Sequence, residues 1–186
     1  MQVVFRLKIL KTTCIINVTF EAPNYAIDGI ESIRVPVDDS TEDDLSPYMD
    51  EVADKLHDVT QHKGIAIVHC VAGISRSCTL VLAYLIKHKQ MSLKEAFLHC
   101  KSRRDMSQPN PSFFQQLIDF ERKVRGNTSV RIVTKRLEGM EGQDIKVPDF
   151  YEKEFPEKVL STALESKEFK PKKNTLMHEL SERSLL

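Results

Sequence analysis

The segment GIAIVHCVAGISRSCTL, at residues 64–80, constrains the fold of this chain more than any other stretch. Residues 64–68 form an apolar, β-branched run that is typical of a buried parallel strand, and residues 79–86 form an apolar run that predicts a helix. The short loop between them contains Gly73. A strand, a tight loop and a helix in this order turn backbone N–H groups inward and add the partial positive charge of a helix N-terminus. The segment therefore predicts a site for an anion such as phosphate.

The same loop carries a nucleophile and a cation. A thiol that lies at a helix N-terminus beside a guanidinium group ionises more readily than a free thiol, so we expect a lowered pKa for Cys70. Arg76 can direct two N–H groups onto two oxygens of one phosphate, which a lysine cannot do. Together these residues would hold one oxyanion in line for attack by sulfur.

Strand and helix patterns alternate along most of the chain. Strands are predicted at residues 14–18, 30–37 and 64–68, and residues 129–135 form either a further short strand or an extended segment. Helical periodicity follows the second and third strands. The alternation predicts an α/β fold with a mainly parallel central sheet flanked by helices.

Three helices besides the one after the phosphate loop are predicted from caps and apolar spacing. The first begins at Ser46 as N-cap with Pro47 in its first turn, the second has a capping box formed by Ser92 and Glu95, and the third opens at Asn110 and Pro111 and ends at Gly126. The predicted core faces are Met49, Val52, Ala53, Leu56 and Val59 in the first helix, Ala96, Phe97 and Cys100 in the second, and Phe113, Phe114, Leu117, Ile118, Glu121 and Val124 in the third.

The pattern HCxxGxSRS at residues 69–77 resembles the signature of the cysteine-dependent protein tyrosine phosphatases, in their dual specificity branch. TCIINVTFEAPN at residues 13–24 and VPDFYEKE at residues 147–154 extend the resemblance to the small atypical members that lack a kinase-docking domain. The resemblance implies a protein phosphatase that hydrolyses phosphotyrosine and phosphoserine or phosphothreonine through a phosphocysteine intermediate. It also implies that the substrates are phosphorylated proteins, with MAP kinases among the candidates.

Domain boundaries follow from the extent of this resemblance. We expect a phosphatase domain over residues 1–155 and a charged, disordered tail over residues 156–186. Members of the family usually have a strand hairpin and a helix before the segment that matches Leu10. Either residues 1–11 replace that hairpin, or the domain is a truncated form with a weaker core.

The resemblance also assigns roles to single residues. Cys70 would be the nucleophile, Ser77 would donate a hydrogen bond to its sulfur, and His69 and Asn110 would orient the loop. Arg76 would clamp the phosphate and stabilise its charge. The phosphate would be bound by the segment Val71, Ala72, Gly73, Ile74, Ser75 and Arg76.

The leaving alkoxide or phenoxide needs a proton, so a carboxylic acid must come from outside the loop. Acidic residues cluster at positions 38–44, and their type alone does not single one out. The stretch VPVDD at residues 35–39 resembles the segment that presents the general acid in dual specificity phosphatases. It favours Asp39, with Asp38 as the second choice, whereas Asp43 and Asp44 suit the N-terminus of the following helix.

Composition disfavours several other classes of function. Twenty-seven basic and 27 acidic residues leave no net charge, so we expect no nucleic-acid partner, and no apolar run is long enough for a membrane span. The four cysteines are scattered without metal-ligand spacing, which predicts no metal and no cofactor. Their usage suits a reducing compartment, so we expect a cytoplasmic location, with the nucleus also open.

Two alternative functions remain. A lipid or RNA 5′-phosphatase could use the same loop, but Val71, Ala72 and Ile74 are apolar where lysines would meet a polyanionic substrate. A non-catalytic phosphate-binding or scaffold module is the other alternative. The presence of a nucleophile, an arginine and an acid counts against it, because a binding module needs no nucleophile.

Overall fold

The computed structural model describes residues 7, 9–24, 26–136, 144–156 and 159. The chain divides into two units, Met1–Arg131 and Ile132–Leu186, which are described separately. Residues 1–6 and 8 of the N-terminal segment, and all of the predicted disordered tail except residues 156 and 159, lie outside the described residues.

Among its described residues, the first unit contains a parallel sheet and four long helices. The sheet has the order β2–β1–β3, and all its pairings are parallel. Ile16 of the central strand lies opposite Ile33 on one side and Val68 on the other. This confirms the predicted α/β class. The elements are β1 (Thr12–Asn17), β2 (Glu31–Arg34), α1 (Ser46–Gln61), β3 (Ile65–His69), α2 (Arg76–His88), α3 (Leu93–Arg103) and α4 (Pro111–Arg125).

The second strand is shorter than its apolar alternation predicts. It ends at Arg34, although Val35 and Val37 are also buried. Val35 N–H still donates to the Asn17 carbonyl at 2.8 Å. Pro36 follows and has no N–H for a further ladder bond, so the regular pairing stops there.

The predicted core face of α1 is confirmed, but its predicted cap is wrong. All five predicted core residues are buried. Leu45 occupies the N-cap position, where its side chain is fully buried and fixes the entry of the chain. Ser46 is instead the first helical residue, and its N–H donates to Asp44 Oδ1 at 2.9 Å. The carboxylate of Asp44 therefore serves the terminus in place of the serine hydroxyl.

The caps of α3 and α4 form as predicted. Ser92 and Glu95 make a reciprocal capping box. The Asn110 side chain accepts from Phe113 N–H at 2.9 Å, and Gly126 ends α4 with a φ of 77°. Cys100 and Val124, predicted as core residues, are only half-buried, whereas the other predicted core residues of these two helices are buried.

The described part of the second unit contains a two-stranded antiparallel sheet and a short helix. Strands β4 (Ile132–Arg136) and β5 (Asp144–Pro148) pair so that Val133 lies opposite Val147. The strand alternative for residues 129–135 is therefore correct, with a shift of its start to Ile132. Helix α5 (Tyr151–Glu154) follows, and Lys135 pairs with Glu152.

Glu121 is a fully buried carboxylate that connects three segments of the first unit. It accepts from Leu93 N–H at the start of α3 and from Ser129 N–H after α4, each at 2.8 Å. Arg125 Nε lies 3.9 Å from its Oε1. A buried charge that satisfies two backbone donors is costly to remove, because those donors then lose their partners.

We expect Glu121→Ala to lower the free energy of unfolding by about 3 kcal/mol, since it leaves the buried N–H of Leu93 and the partly buried N–H of Ser129 without their acceptor. Glu121→Gln keeps one acceptor oxygen and should cost less. The measurement is urea unfolding followed by circular dichroism. The control is Asp119→Asn, which removes an exposed pair with Arg122 and should change stability by about 0.5 kcal/mol or less. Equal losses in Glu121→Ala and the control would contradict the assignment.

Candidate active site

The loop between β3 and α2 occupies residues 70–75, and α2 begins directly at Arg76. Gly73 has a φ of 67°, in the left-handed region that favours glycine. Its N–H donates to Cys70 Sγ at 3.2 Å, so the loop curls around the sulfur. The predicted strand, loop and helix are therefore present in the predicted order.

Arg104, at the end of α3, holds the outer side of this loop. Its Nε donates to the Gly73 carbonyl and its Nη2 to the Ala72 carbonyl, each at 3.0 Å. Gln108 N–H donates to the Ile74 carbonyl at 2.9 Å. In a trans peptide the C=O and the next N–H point in opposite directions. Because these carbonyls point outward, the N–H groups that follow them point toward the interior of the loop.

The Cys70 thiol is buried, with 8% of its residue surface exposed. Burial alone raises its pKa. Hydrogen bonds outweigh that effect, from the Ser77 hydroxyl and from the backbone N–H groups of Ser77, Gly73 and Ile74, and the net pKa lies below its ordinary value. Ser77 Oγ is 3.4 Å from the sulfur. The direction agrees with the expectation from the sequence.

The Arg76 side chain is 4% exposed, and Arg76 directly follows the loop of residues 70–75. Nη1 donates to Glu21 Oε2 at 2.8 Å and Nη2 donates to Glu21 Oε1 at 3.2 Å. Nη1 also donates to the Val37 carbonyl at 3.1 Å. Nε is buried without a hydrogen-bond partner among the described residues, and Asp39 Oδ2 lies 3.9 Å from it.

Asp39 joins the acidic loop to the phosphate loop and to α4. Its Oδ1 accepts from Ser75 Oγ at 2.7 Å and from Asn110 Nδ2 at 3.0 Å. Asn110 N–H also donates to Ser75 Oγ at 3.1 Å, which closes a three-residue network. Asp38 Oδ1 instead accepts from the N–H of Asp39 at 2.9 Å. The geometry therefore brings the favoured acid, rather than the second choice, against the loop.

The remaining predicted site residues have simpler contacts. His69 Nδ1 donates to the Cys70 carbonyl at 3.3 Å, at the point where β3 enters the loop. Asp43 accepts from the Ser40 hydroxyl.

Glu21 and Arg104 were not predicted as site residues. They lie 55 and 31 residues from their partners, and no local pattern links such distant positions, although Glu21 falls within the TCIINVTFEAPN stretch.

A cavity of about 570 Å³ lies on the α2–α3 side of the loop. Its lining includes Cys78 and Cys100 but none of Asp39, Arg76 and Asn110. The hydrogen bond to Cys100 and burial raise the pKa of Cys78, so Cys78 is a core thiol rather than a second nucleophile. The described residues contain neither a cluster of three metal-ligating side chains nor a helix that could cross a membrane.

Residues 2–123 match the family model of the dual specificity phosphatase catalytic domain. The chain belongs to the dual specificity phosphatase family. Human dual specificity protein phosphatase 14 is 43% identical over 142 residues, which cover 76% of this chain and 68% of that protein. Human dual specificity protein phosphatase 21 is 38% identical over 144 residues, covering 77% and 72%. The crystal structure of human DUSP28 superposes with a TM-score of 0.63 at 30% identity, over 66% of this chain and 85% of that chain.

The family predicted from residues 69–77 is thus confirmed, and so is its fold. The match of this phosphatase ends at residue 123, inside α4. The extension of the domain to residue 155 stays a prediction.

We expect Ser77→Ala to move the pH midpoint of Cys70 alkylation to higher pH in this phosphatase. The substitution removes one of the hydrogen bonds that stabilise the thiolate, while the burial that opposes ionisation remains. The measurement is the rate of carboxymethylation by iodoacetate against pH, with Cys70→Ser used to subtract the other thiols. Ser107→Ala, a buried serine outside the loop, is the matched control. An unchanged midpoint in Ser77→Ala would show that the hydroxyl does not stabilise the thiolate.

Proposed function

We propose that this chain hydrolyses phosphate esters of tyrosine and of serine or threonine in proteins, through a phosphocysteine formed on Cys70. The family supports the protein phosphatase activity. The observation that most directly supports the assignment of residues concerns the Arg76 guanidinium. It is buried beside the Cys70 loop, and its Nε has no hydrogen-bond partner among the described residues, with the Asp39 carboxylate 3.9 Å away.

The edge of the Arg76 guanidinium that carries Nε has the geometry of a phosphate clamp. A guanidinium group has five N–H donors. Glu21 and the Val37 carbonyl take three of them, both on Nη1 and one on Nη2. The donors left over, on Nε and Nη2, lie on one edge of the plane and point in parallel. Such a pair matches two oxygens of a phosphate. We assign this edge to substrate.

The loop supplies the nucleophile and the rest of the charge stabilisation. The lowered pKa of Cys70 provides a thiolate that attacks phosphorus. The backbone N–H groups of residues 71–76, of which those of residues 73–75 point inward, and the Arg76 edge stabilise the charge on the phosphoryl oxygens. The sulfur–phosphorus bond forms while the bond to the leaving oxygen breaks. Ser77 then helps sulfur to leave when water hydrolyses the phosphocysteine, since its hydroxyl donates to the thiolate that reforms.

Asp39 is assigned as the acid that protonates the leaving oxygen and then as the base that activates water. Its hydrogen bonds to Ser75 and Asn110 hold the carboxyl group at the edge of the loop. The contact to Asn110 gives that residue a positioning role, in line with its predicted function in orienting the loop. Asp38 accepts from the N–H of Asp39 and lies 3.9 Å from Arg76 Nη1, without a contact to the Cys70 loop, and it is not assigned a step.

The surface of the loop favours a protein substrate. Val71 is 70% exposed and is apolar, and no lysine lies between Cys70 and Arg76 to meet a polyanionic ring. We expect phosphorylated signalling proteins, MAP kinases among them, as partners.

The four cysteines are free, which suits the reducing cytoplasm and nucleus that we propose as locations.

We predict that the chain hydrolyses para-nitrophenyl phosphate in the presence of a metal chelator. Cys70→Ser should abolish turnover, because the hydroxyl of serine is a much weaker nucleophile. Asp39→Asn should slow hydrolysis of a phosphothreonine peptide by about 10²–10⁴-fold, the range for general acid catalysis. The loss should be smaller for para-nitrophenyl phosphate, whose leaving group needs less protonation.

Asp38→Asn is the matched control, and it should retain most of the activity on both substrates. A larger loss in Asp38→Asn than in Asp39→Asn would exchange the two assignments. A folded parent that binds phosphopeptide without turnover would support the scaffold alternative. Faster hydrolysis of a phosphoinositide or of an RNA 5′-phosphate than of phosphopeptides would support the other alternative.

A further inference from the structure

Glu21 lies outside the phosphate loop, yet it makes a bidentate contact with Arg76. Both of its carboxylate oxygens accept from the guanidinium, at 2.8 and 3.2 Å. These hydrogen bonds lower the pKa of Glu21, so the carboxylate stays charged. Glu21 is half-exposed, whereas the arginine is 4% exposed. The pair therefore connects a buried cation to the surface.

The turn that carries Glu21 is held by two buried polar side chains. Asn17 and Thr19 are 2% and 1% exposed. Thr19 Oγ1 donates to Asn17 Oδ1 at 2.7 Å and accepts from Ala22 N–H at 3.2 Å. Asn17 Nδ2 donates to the carbonyls of Ala22 and Pro23, at 3.0 and 3.2 Å. Asn17, the last residue of β1, and Thr19 thus hold the backbone that directly follows Glu21.

Two other carboxylates compete for the same guanidinium. Asp38 Oδ1 lies 3.9 Å from Nη1, and Asp39 Oδ2 lies 3.9 Å from Nε. Without Glu21, the buried cation would keep only the Val37 carbonyl as a close acceptor among the described residues. A buried charge without a partner is costly, so the guanidinium plane would turn toward the aspartates. That turn would occupy the edge assigned to substrate.

We propose that Glu21 is a positioning residue that holds the end of the Arg76 guanidinium so that its Nε edge stays open for phosphate. The inference rests on the proposed function of Arg76 as the phosphate clamp. Glu21 touches neither the phosphate nor the sulfur in this arrangement. It acts through the orientation of one side chain, and it prevents the Asp39 carboxylate, 3.9 Å from Nε, from moving closer to the guanidinium.

The first test is Glu21→Gln, assayed with a phosphotyrosine peptide and with inorganic phosphate as competitive inhibitor. The amide has one acceptor oxygen, and its NH₂ group faces a guanidinium nitrogen, so the bidentate contact is lost. We expect kcat/KM to fall by about 10–100-fold, the loss that follows a misplacement of about 1 Å. The inhibition constant of phosphate should rise, because the same edge binds it.

The control is Glu31→Gln, which removes another half-exposed glutamate whose partner, Lys55, lies 2.6 Å away in an ion pair. It should leave kcat/KM unchanged, and both variants should unfold at similar temperatures. Glu21→Asp keeps the charge but shortens the reach, and should lower kcat/KM in the same direction. If Glu21→Gln does not fold, Glu21→Asp provides the test instead. Unchanged kcat/KM and phosphate inhibition in the folded Glu21 variants would overturn the proposal.

A double-mutant cycle separates this role from a general structural one. Arg76→Lys removes the fork, so Glu21→Gln should cause little further loss of kcat/KM in that background. An equal loss in both backgrounds would overturn the positioning role and leave the proposed function intact. If Arg76→Lys itself kept full activity, the assignment of Arg76 as clamp would fail instead.

Discussion

The buried guanidinium of Arg76 is the constraint on which the site depends. A cation that is 4% exposed requires acceptors from the protein, and these come from different parts of the chain. Glu21 follows β1, and Val37 and Asp39 follow β2. The arginine itself opens the helix after β3. Arg76 thus contacts the segments that follow two neighbouring strands, and it begins the helix that follows the third.

The parallel sheet makes this convergence possible. In a parallel sheet all strands end at the same edge, and ligand sites of α/β proteins lie outside that edge. The last residues of the three strands are in register, since Asn17 lies opposite both Arg34 and His69. The turn of Glu21, the acidic loop and the Cys70 loop therefore start side by side. Asn110 at the start of α4 reaches the same edge through its contact with Asp39.

Sequence patterns predicted the local features and missed the ones that depend on distant contacts. Helix faces and the capping box of α3 follow from spacing within a few residues, so they could be read directly. The cap of α1 was misassigned because burial of Leu45 and the carboxylate of Asp44, not the type of residue at 46, decide it. Arg104 and Glu21 contact the site across 31 and 55 residues. Only the tertiary fold brings them there.

The reactivity of Cys70 depends on loop shape as much as on residue type. Burial raises the pKa of the thiol, and only the converging hydrogen bonds reverse that effect. Two of those bonds come from the N–H groups of Gly73 and Ile74, which point inward because Arg104 holds the preceding carbonyls on the outside of the loop. A loosened loop would keep part of the desolvation and lose the donors, so the thiolate would be destabilised. In the proposed function, side chains outside the substrate contacts therefore act on both the nucleophile, through the backbone of its loop, and the phosphate clamp, through Glu21.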